Sequence, residues 1–357
     1  MKNLVRLFAI IFLGITATQC AKQENESFNT TEERSLDAWM KENHPGVEKT
    51  EFGIYIEWLR PSDTDAPMVE TTDWVRYNTK ITCMDNTLLV SRYEEDAVRE
   101  GTFSRYTHYV PHYNMFSEYL KCTHAEFITL TKMHVGDSVR IYSPSRQAFQ
   151  DAQLNAIYGY EGWVCSDKNP YKAVPDLTKK PVIIDLVLKD IIKDPKEYEM
   201  GQVEAKAQEW GLNVNDTIRK ELYFSYIDED LTAPKVAFND TIYIEYTGRF
   251  FDGFLFDTNE PQVAANEWNE FYITSPGKFI PSITTALYSQ IKLPSALKEV
   301  FRDERIRYNS KFKVLLSSDW AAGVTGISPS VAQAEVAAYT PFIYEITVRP
   351  KDYKPAE

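Results

Sequence analysis

The chain has 357 residues, 25% of them charged and 43% hydrophobic, a balance typical of soluble globular proteins and sufficient for about two domains. Its formal net charge is −13 at pH 7, and because an acidic surface repels phosphate groups we expect no nucleic-acid partner. Solubility is the simpler explanation of that charge. Aromatic residues make up 13% of the chain, which favours strands over helices.

The first element along the chain is a targeting segment. Lys2 and Arg6 precede the apolar run LFAIIFLGI, which is too short to span a membrane and has the length of a signal-peptide core. The next residues, ITATQC, place Cys20 at the cleavage point, and this arrangement resembles a bacterial lipoprotein box. The alternative is an ordinary secretory signal with a chance cysteine. We predict a signal peptide over 1–19 and an acylated Cys20 that anchors the protein to the bacterial outer membrane, facing the periplasm or the cell surface.

Residues 20–49 predict a tether and a short helix. The segment CAKQENESFNTTEER, residues 20–34, is polar throughout and is typical of a flexible tether. The following residues, SLDAWMKEN, predict a helix with Ser35 as its N-cap.

Two strand-rich regions follow, which we place at residues 50–193 and 213–357. Between them, residues 194–212 have a proline at the start, helix-forming residues in the middle and a glycine near the end, a pattern that predicts a connecting helix. The pieces VRIYSPSRQAF and KVLLSSDWAAG each predict a strand followed by a polar corner, and they occupy the same place in the two regions. The sequence therefore predicts a duplicated domain.

The most distinctive stretch is DTIYIEYTGRFFDGFLFDTN, residues 240–259. It begins as an alternating strand, turns at Gly248 and Gly253, and ends with one carboxylate, Asp257, directly after Phe256. This stretch, followed in order by GKFIPSI, SSDWAAGVTG and TPFIYEITV, resembles the FKBP-type peptidyl-prolyl cis-trans isomerases. The resemblance covers most of residues 236–350 and is weaker in the first region.

The resemblance implies an α+β fold. It consists of two FKBP-like domains, each a curved antiparallel sheet wrapped on a short helix, joined by a helical linker, with a pocket between sheet and helix. The resemblance gives catalytic positions to Tyr246, Phe256 and Asp257. It gives substrate-binding positions to Phe271, Phe279, Ile280, Ile283 and Tyr344. Isomerisation in such an apolar pocket requires neither a metal nor a cofactor, so we expect none.

The second region departs from the family pattern at several positions. Ile283 stands where the family has Trp, and Ala322 stands where it has a Tyr whose hydroxyl would bond the substrate. We expect Trp320 to point to the opposite face of an extended segment. The insertion at residues 288–310 predicts an extra helix near the pocket rim.

The first region departs further from the pattern. Thr79, Leu89 and Val90 stand where the family has Tyr, Phe and Asp, and Phe149 replaces the tyrosine of the corner. We therefore expect this region to be non-catalytic and to serve as a scaffold or a binding module.

Two functions follow as hypotheses. The first is a peptidyl-prolyl cis-trans isomerase that assists the folding of exported proteins in the bacterial envelope, with proline-containing polypeptides as clients and the membrane bound through Cys20. The alternative is a non-catalytic FKBP-like binding or chaperone lipoprotein.

The remaining cysteines and the histidines carry no complete motif. Cys83, Cys122 and Cys165 are either three thiols or one disulfide and one thiol, and the sequence leaves the pairing open. The pairs His108/His112 and Cys122/His124 fall short of a full set of metal ligands.

Overall fold

A computed structural model of the chain describes residues 28–63, 65–117, 122–145, 180–212, 217–219, 221–270, 276–281, 293–302, 305–321, 323–326 and 336–354. The helices are α1 (Phe28–Asn43), α2 (Glu94–Arg99), α3 (His124–Leu130), α4 (Pro195–Glu209), α5 (Pro261–Trp268) and α6 (Leu293–Arg302). Within these ranges no helix has both the length and the apolar character needed to cross a membrane.

The first sheet has six strands, all paired antiparallel. They are β1 (Tyr55–Arg60), β2 (Trp74–Cys83), β3 (Leu88–Ser91), β4 (His112–Met115), β5 (Ser138–Ser143) and β6 (Val182–Ile192). The strand order is β1-β5-β6-β2-β3, and β4 also pairs with β2. Alternate side chains of β6 are buried, so one face of the sheet covers a core that includes Ala125 and Ile128 of α3.

The second sheet has seven strands, again all antiparallel. They are β7 (Thr217–Arg219), β8 (Leu222–Asp228), β9 (Ile242–Arg249), β10 (Leu255–Thr258), β11 (Gly277–Phe279), β12 (Lys311–Leu316) and β13 (Phe342–Val348). The order is β10-β9-β13-β12-β8-β7, with β11 on β9. Read from β8, this repeats the order of the first sheet, and the predicted α+β fold with two antiparallel sheets is confirmed.

The helix beneath the second sheet is α6. Its residues Ala296, Leu297, Val300 and Phe301 are completely buried and belong to the same core as the inner face of the sheet. The insertion therefore does form a helix, as predicted, and this helix lies in the core beneath the sheet. The helix is buried because its apolar residues recur three to four positions apart and form one apolar face.

The N-terminal helix α1 begins at Phe28 and not at Ser35. Ser35 lies inside the helix, where its hydroxyl donates to the Thr31 carbonyl oxygen at 2.8 Å. The second half of the predicted tether is therefore helical. Leu36 and Met40 of α1 pack on the outer face of the first sheet against Tyr55 and Tyr142, and this packing outweighs the polar composition of the helix.

The predicted connecting helix is present as α4, and it begins as expected. The Asp194 side chain caps it by accepting hydrogen bonds from the backbone N–H groups of Lys196 and Glu197. Val203 and Ala207 of α4 pack on the outer face of the second sheet, against Tyr223 and Leu315. The helix therefore covers the second sheet as α1 covers the first.

The two outer helices are held by the same contact. In the first region, the Ser145 backbone N–H and hydroxyl donate to the buried Glu32 carboxylate, both at 2.7 Å. In the second region, the Ser318 backbone N–H and hydroxyl donate to the buried Glu199 carboxylate. In each case a glutamate in the outer helix fixes a serine in the corner after a sheet strand, so the duplication includes the helix.

Candidate functional site

The candidate site is built on a close approach of three strands at Gly248. In the sheet register, Gly248 of β9 lies opposite Asp257 of β10 on one side and Tyr344 of β13 on the other. A Cβ atom at Gly248 would lie 2.6 Å from Cε1 of Tyr344 and 2.9 Å from Cζ of Phe256. Only glycine therefore lets both rings lie across this part of the sheet.

The Asp257 carboxylate is half-buried beside these rings. The Tyr344 hydroxyl donates a hydrogen bond to Asp257 Oδ2 at 3.0 Å. Since a hydrogen bond restricts the rotation of a carboxylate, Tyr344 orients Asp257. The structure thus brings together two of the residues that the sequence placed at the site.

Tyr246 lies on the same side of the sheet and is 4% exposed. Its ring is perpendicular to that of Tyr344, with the centroids 6.0 Å apart. Burial raises the pKa of Tyr246 far above its ordinary value, and the negative charge of Asp257 raises that pKa further. The phenol of Tyr246 is therefore neutral at physiological pH, and its hydroxyl can donate a hydrogen bond.

Phe256 connects these residues to a larger group of rings. It is completely buried, stacks on Phe250 at 4.7 Å, and lies 4.6 Å from Phe342 and 5.6 Å from Tyr344. We call Tyr246, Phe250, Phe256, Phe342 and Tyr344 the aromatic cluster. It forms an apolar wall that carries one carboxylate, Asp257.

Phe279 and Ile280 lie at the next strand, β11. Phe279 pairs with Ile242 of β9, is completely buried, and contacts the Phe301 ring of α6 at 5.9 Å. Ile280 is half-buried. Phe279 belongs to the same core as Tyr246, Phe256 and Tyr344.

Four of the predicted positions lie outside the described residues: Cys20, Phe271, Ile283 and Ala322. Trp320 is described, and the prediction for it was wrong. Residues Ser318–Trp320 form a 3₁₀ turn, so side chains there do not alternate as in an extended segment, and Trp320 packs against the core of the second region.

Asn259, which was not among the predicted site residues, supports the site from behind. Its side-chain oxygen accepts the Tyr246 backbone N–H at 2.6 Å, and its side-chain NH₂ donates to the Ile244 carbonyl at 3.0 Å. The Thr258 hydroxyl adds a bond to the Tyr246 carbonyl at 2.8 Å. These side chains continue the pairing of β10 with β9 beyond the strand, and they fix Asp257 relative to Tyr246. The sequence signal that could have indicated this support is the polar pair Thr258 and Asn259, directly after Asp257.

The corresponding part of the first region has no phenol or carboxylate at Thr79, Leu89 or Val90. One of its buried polar groups is Glu126 of α3, whose carboxylate accepts the Thr123 backbone N–H at 2.7 Å. Burial raises the pKa of Glu126. Glu126 and Thr123 cap the start of α3. The second region instead has a tyrosine hydroxyl that donates to a half-buried aspartate.

The candidate metal ligands and the cysteines of the first region form the next group of predicted residues. In the described ranges, no group of three or more His, Cys, Asp and Glu side chains converges on a possible metal position. Cys83 and Cys122 are both buried, whereas Cys165 and Phe149 lie outside the described residues. His112 stacks on Tyr77.

No protein-family model matches the sequence, and a search of curated proteins finds no match. Among solved structures, the chain is similar to the three FKBP domains of wheat FKBP73, at 14% identity over 85% of this chain and 98% of that chain, with a TM-score of 0.27.

Two bacterial structures are also similar. One is a peptidyl-prolyl cis-trans isomerase from Pseudomonas syringae pv. tomato, at 17% identity over 46% of this chain and 93% of that chain, with a TM-score of 0.30. The other is FkpA from Escherichia coli, at 13% identity over 54% of this chain and 72% of that chain, also with a TM-score of 0.30. Each sheet is antiparallel and covers a helix, as the sequence resemblance implies, so the chain has an FKBP-like fold.

Proposed function

We propose that the second region binds proline-containing polypeptides and catalyses peptidyl-prolyl cis-trans isomerisation. The observation that carries the proposal is the hydrogen bond from Tyr344 to Asp257, at 3.0 Å, on a wall of packed aromatic rings. This contact supports the proposal because it joins one oriented carboxylate to packed aromatic rings, and the resemblance gives these residues to the site.

The chemistry of the reaction suits such a site. Rotation about a peptide bond has a barrier of about 18–20 kcal/mol because resonance must be broken. A twisted amide has lost its charge-separated resonance form, so an apolar surface favours it relative to the planar ground state. We assign the Phe256 and Tyr344 rings to that apolar surface. Asp257 accepts a hydrogen bond from the bound polypeptide, which holds the segment while the prolyl bond rotates.

A protease-coupled assay on proline-containing tetrapeptides tests the proposal. We expect Asp257→Val to lower kcat/KM by roughly tenfold or more, in the range of an oriented catalytic group. The matched control is Asp228→Val, at an exposed position at the end of β8 in the same sheet. Equal rates for the wild-type and the Asp257→Val proteins would overturn catalysis at this site.

A second candidate function is client binding without isomerisation. The burial of the aromatic cluster counts against catalysis on these rings, since Phe256 and Tyr344 are 0% exposed and Tyr246 only 4%. A binding protein would prevent aggregation of an unfolded client equally well with and without Asp257. Light scattering during client refolding, run with the Asp257→Val variant, separates this function from the first.

We further propose that the protein works in the bacterial envelope as a lipoprotein, anchored through Cys20 and exposed to the periplasm or the cell surface. The support is the short apolar run that precedes Cys20 in the sequence. Cys20→Ser should release the protein from the membrane fraction or block its processing. An intact mass without lipid on the mature native chain would overturn the anchor and would leave the isomerase proposal unaffected.

A further inference from the structure

A loop of the first region is seated on the second region. The loop comprises residues 103–110, FSRYTHYV. Its own contacts hold its shape, since the Phe103 and Tyr109 rings stack at 5.8 Å and the Tyr109 hydroxyl accepts the Ser104 backbone N–H at 3.0 Å. The loop therefore presents its central side chains as a preformed surface.

The central contact of the loop is made by His108 at the tip of the β9–β10 hairpin. Its ring stacks on Phe254 at 4.4 Å and 25°, and on Phe250 at 5.1 Å and 29°. Its Nε2 lies 2.7 Å from Oδ2 of Asp252, within hydrogen-bond distance. Two apolar faces and one carboxylate thus surround a single imidazole.

Two neighbouring side chains hold the loop from the other end. The Tyr106 hydroxyl donates to the Glu270 carboxylate at 2.7 Å, and its ring packs on Trp268 at 5.1 Å. Arg105 Nη1 donates to the carbonyl oxygens of Asn266 and Glu267 at 3.3 and 3.1 Å. These carbonyls belong to the last turn of α5, where a positive charge is favourable.

The rings around His108 contact rings of the candidate site. The Phe250 ring stacks on two other rings, that of His108 at 5.1 Å and that of Phe256 at 4.7 Å. Phe256 is in turn a member of the wall beside Asp257. Ring contacts therefore lead from His108 to Tyr344, whose hydroxyl holds Asp257.

We infer that Phe250, Asp252 and Phe254 form a binding subsite for a planar ring that carries an N–H donor, and that His108 fills this subsite within the same chain. The inference rests on the proposed function, because the natural competitor of the loop is a client polypeptide with a histidine near its bound segment. We call the three residues the hairpin subsite.

The hairpin subsite selects its ligand by two requirements. A flat ring stacks on the Phe250 and Phe254 rings, and Asp252 needs a donor, which excludes phenylalanine. The hydrogen bond from His108 lowers the pKa of the Asp252 carboxyl, as expected for a carboxylate that accepts from an imidazole. A client that meets both requirements displaces the loop, whereas others leave it seated.

The test uses a fluorescein-labelled peptide with the loop sequence FSRYTHYV and fluorescence anisotropy with the full-length chain. In the wild-type protein the subsite is occupied, so the peptide should bind weakly. His108→Ala should tighten binding by about tenfold or more, because the competing occupant is removed. The variant Arg105→Ala/Tyr106→Ala/His108→Ala, in which the loop loses all three anchors, should bind at least as tightly.

Two controls identify the subsite. In the His108→Ala background, Asp252→Asn should weaken binding several-fold, and Asp252 is exposed enough for the change to leave the fold intact, with 52% of its side chain accessible. A peptide with phenylalanine in place of its histidine should bind about tenfold more weakly than the histidine peptide.

The inference is overturned if the loop variants bind the peptide no more tightly than the wild-type protein does, or if Asp252→Asn leaves their affinity unchanged. The peptide assay does not involve isomerisation, so its failure is distinct from a failure of catalysis. A protein that binds the peptide as expected but does not isomerise prolyl bonds contradicts only the proposed activity.

Discussion

Gly248 and Tyr344 lie opposite each other in β9 and β13, and a Cβ atom on the glycine would lie 2.6 Å from the tyrosine ring. We expect Gly248→Ala to displace the rings of Tyr344 and Phe256 and to destabilise the protein by about 1–3 kcal/mol, as overpacking of a core does. Denaturant unfolding measures the change. Gly201→Ala is the control, since it lies in α4 with no atom within 4 Å of the added Cβ, and it should be neutral or stabilising.

Tyr344→Phe tests whether the hydroxyl orients Asp257. The ring stays in place, and the loss of one hydrogen bond should cost about 0.5–1.5 kcal/mol of stability. In the isomerase assay we expect a lower kcat/KM than for the wild-type protein and a smaller loss than for Asp257→Val. Tyr246→Phe is the comparison variant, because it removes the other hydroxyl of the aromatic cluster and leaves the bond from Tyr344 to Asp257 in place. An unchanged rate for Tyr344→Phe would show that the hydrogen bond has no role in catalysis.

Much of this fold could be predicted from local patterns. An alternating apolar pattern predicted β9, and a proline at the start and a glycine near the end predicted α4. The position of α1 could not be found in this way, because its start depends on a tertiary contact. Glu32 is buried by Ser145, which lies in a corner far away in the sequence, and no local signal reports that pairing.

The site was predicted less completely than the fold. Asp257 and Tyr344 were expected to be close, and they share a hydrogen bond. The support from Asn259 was missed because it replaces strand pairing with side-chain bonds to the backbone, which an alternation pattern does not show. The contact of His108 with Asp252 joins residues of the two regions, and only the tertiary structure reveals it.

His112 predicts a pH dependence of stability. Burial, with a smaller effect of the Arg92 charge, lowers the pKa of His112 from 6.5 to about 3 in the folded protein. Between these values the unfolded chain binds a proton that the folded chain does not, so stability is lost as the pH falls, by up to about 1.4 kcal/mol per pH unit. We expect His112→Gln to flatten this slope in urea unfolding at a series of pH values.

The control for that measurement is His124→Gln, at the start of α3. It leaves His112 in place, so the slope below pH 6.5 should persist. A His112→Gln protein with the full wild-type slope would contradict the assignment of the slope to this residue.

Glu199 and Glu32 predict a pair of matched stability losses. Each carboxylate accepts the backbone N–H and the hydroxyl of one serine, and hydrogen bonds to a charged group contribute about 1.5–3 kcal/mol each. We expect Glu199→Ala and Glu32→Ala each to destabilise the protein by about 2–4 kcal/mol in denaturant unfolding. Glu197→Ala, at an exposed position in the first turn of α4, should cost less than about 1 kcal/mol.

The contact between Glu199 and Ser318 also decides where this chain can be divided. A fragment that begins at the first strand of the second region would lack α4, and it would leave the Ser318 corner without its acceptor and the outer rings of Tyr223 and Phe251 uncovered. A fragment that begins at Asp194 retains the cap, the helix and the corner together. The unit that was copied, and that can be excised or grafted onto another chain, is therefore a helix followed by its sheet.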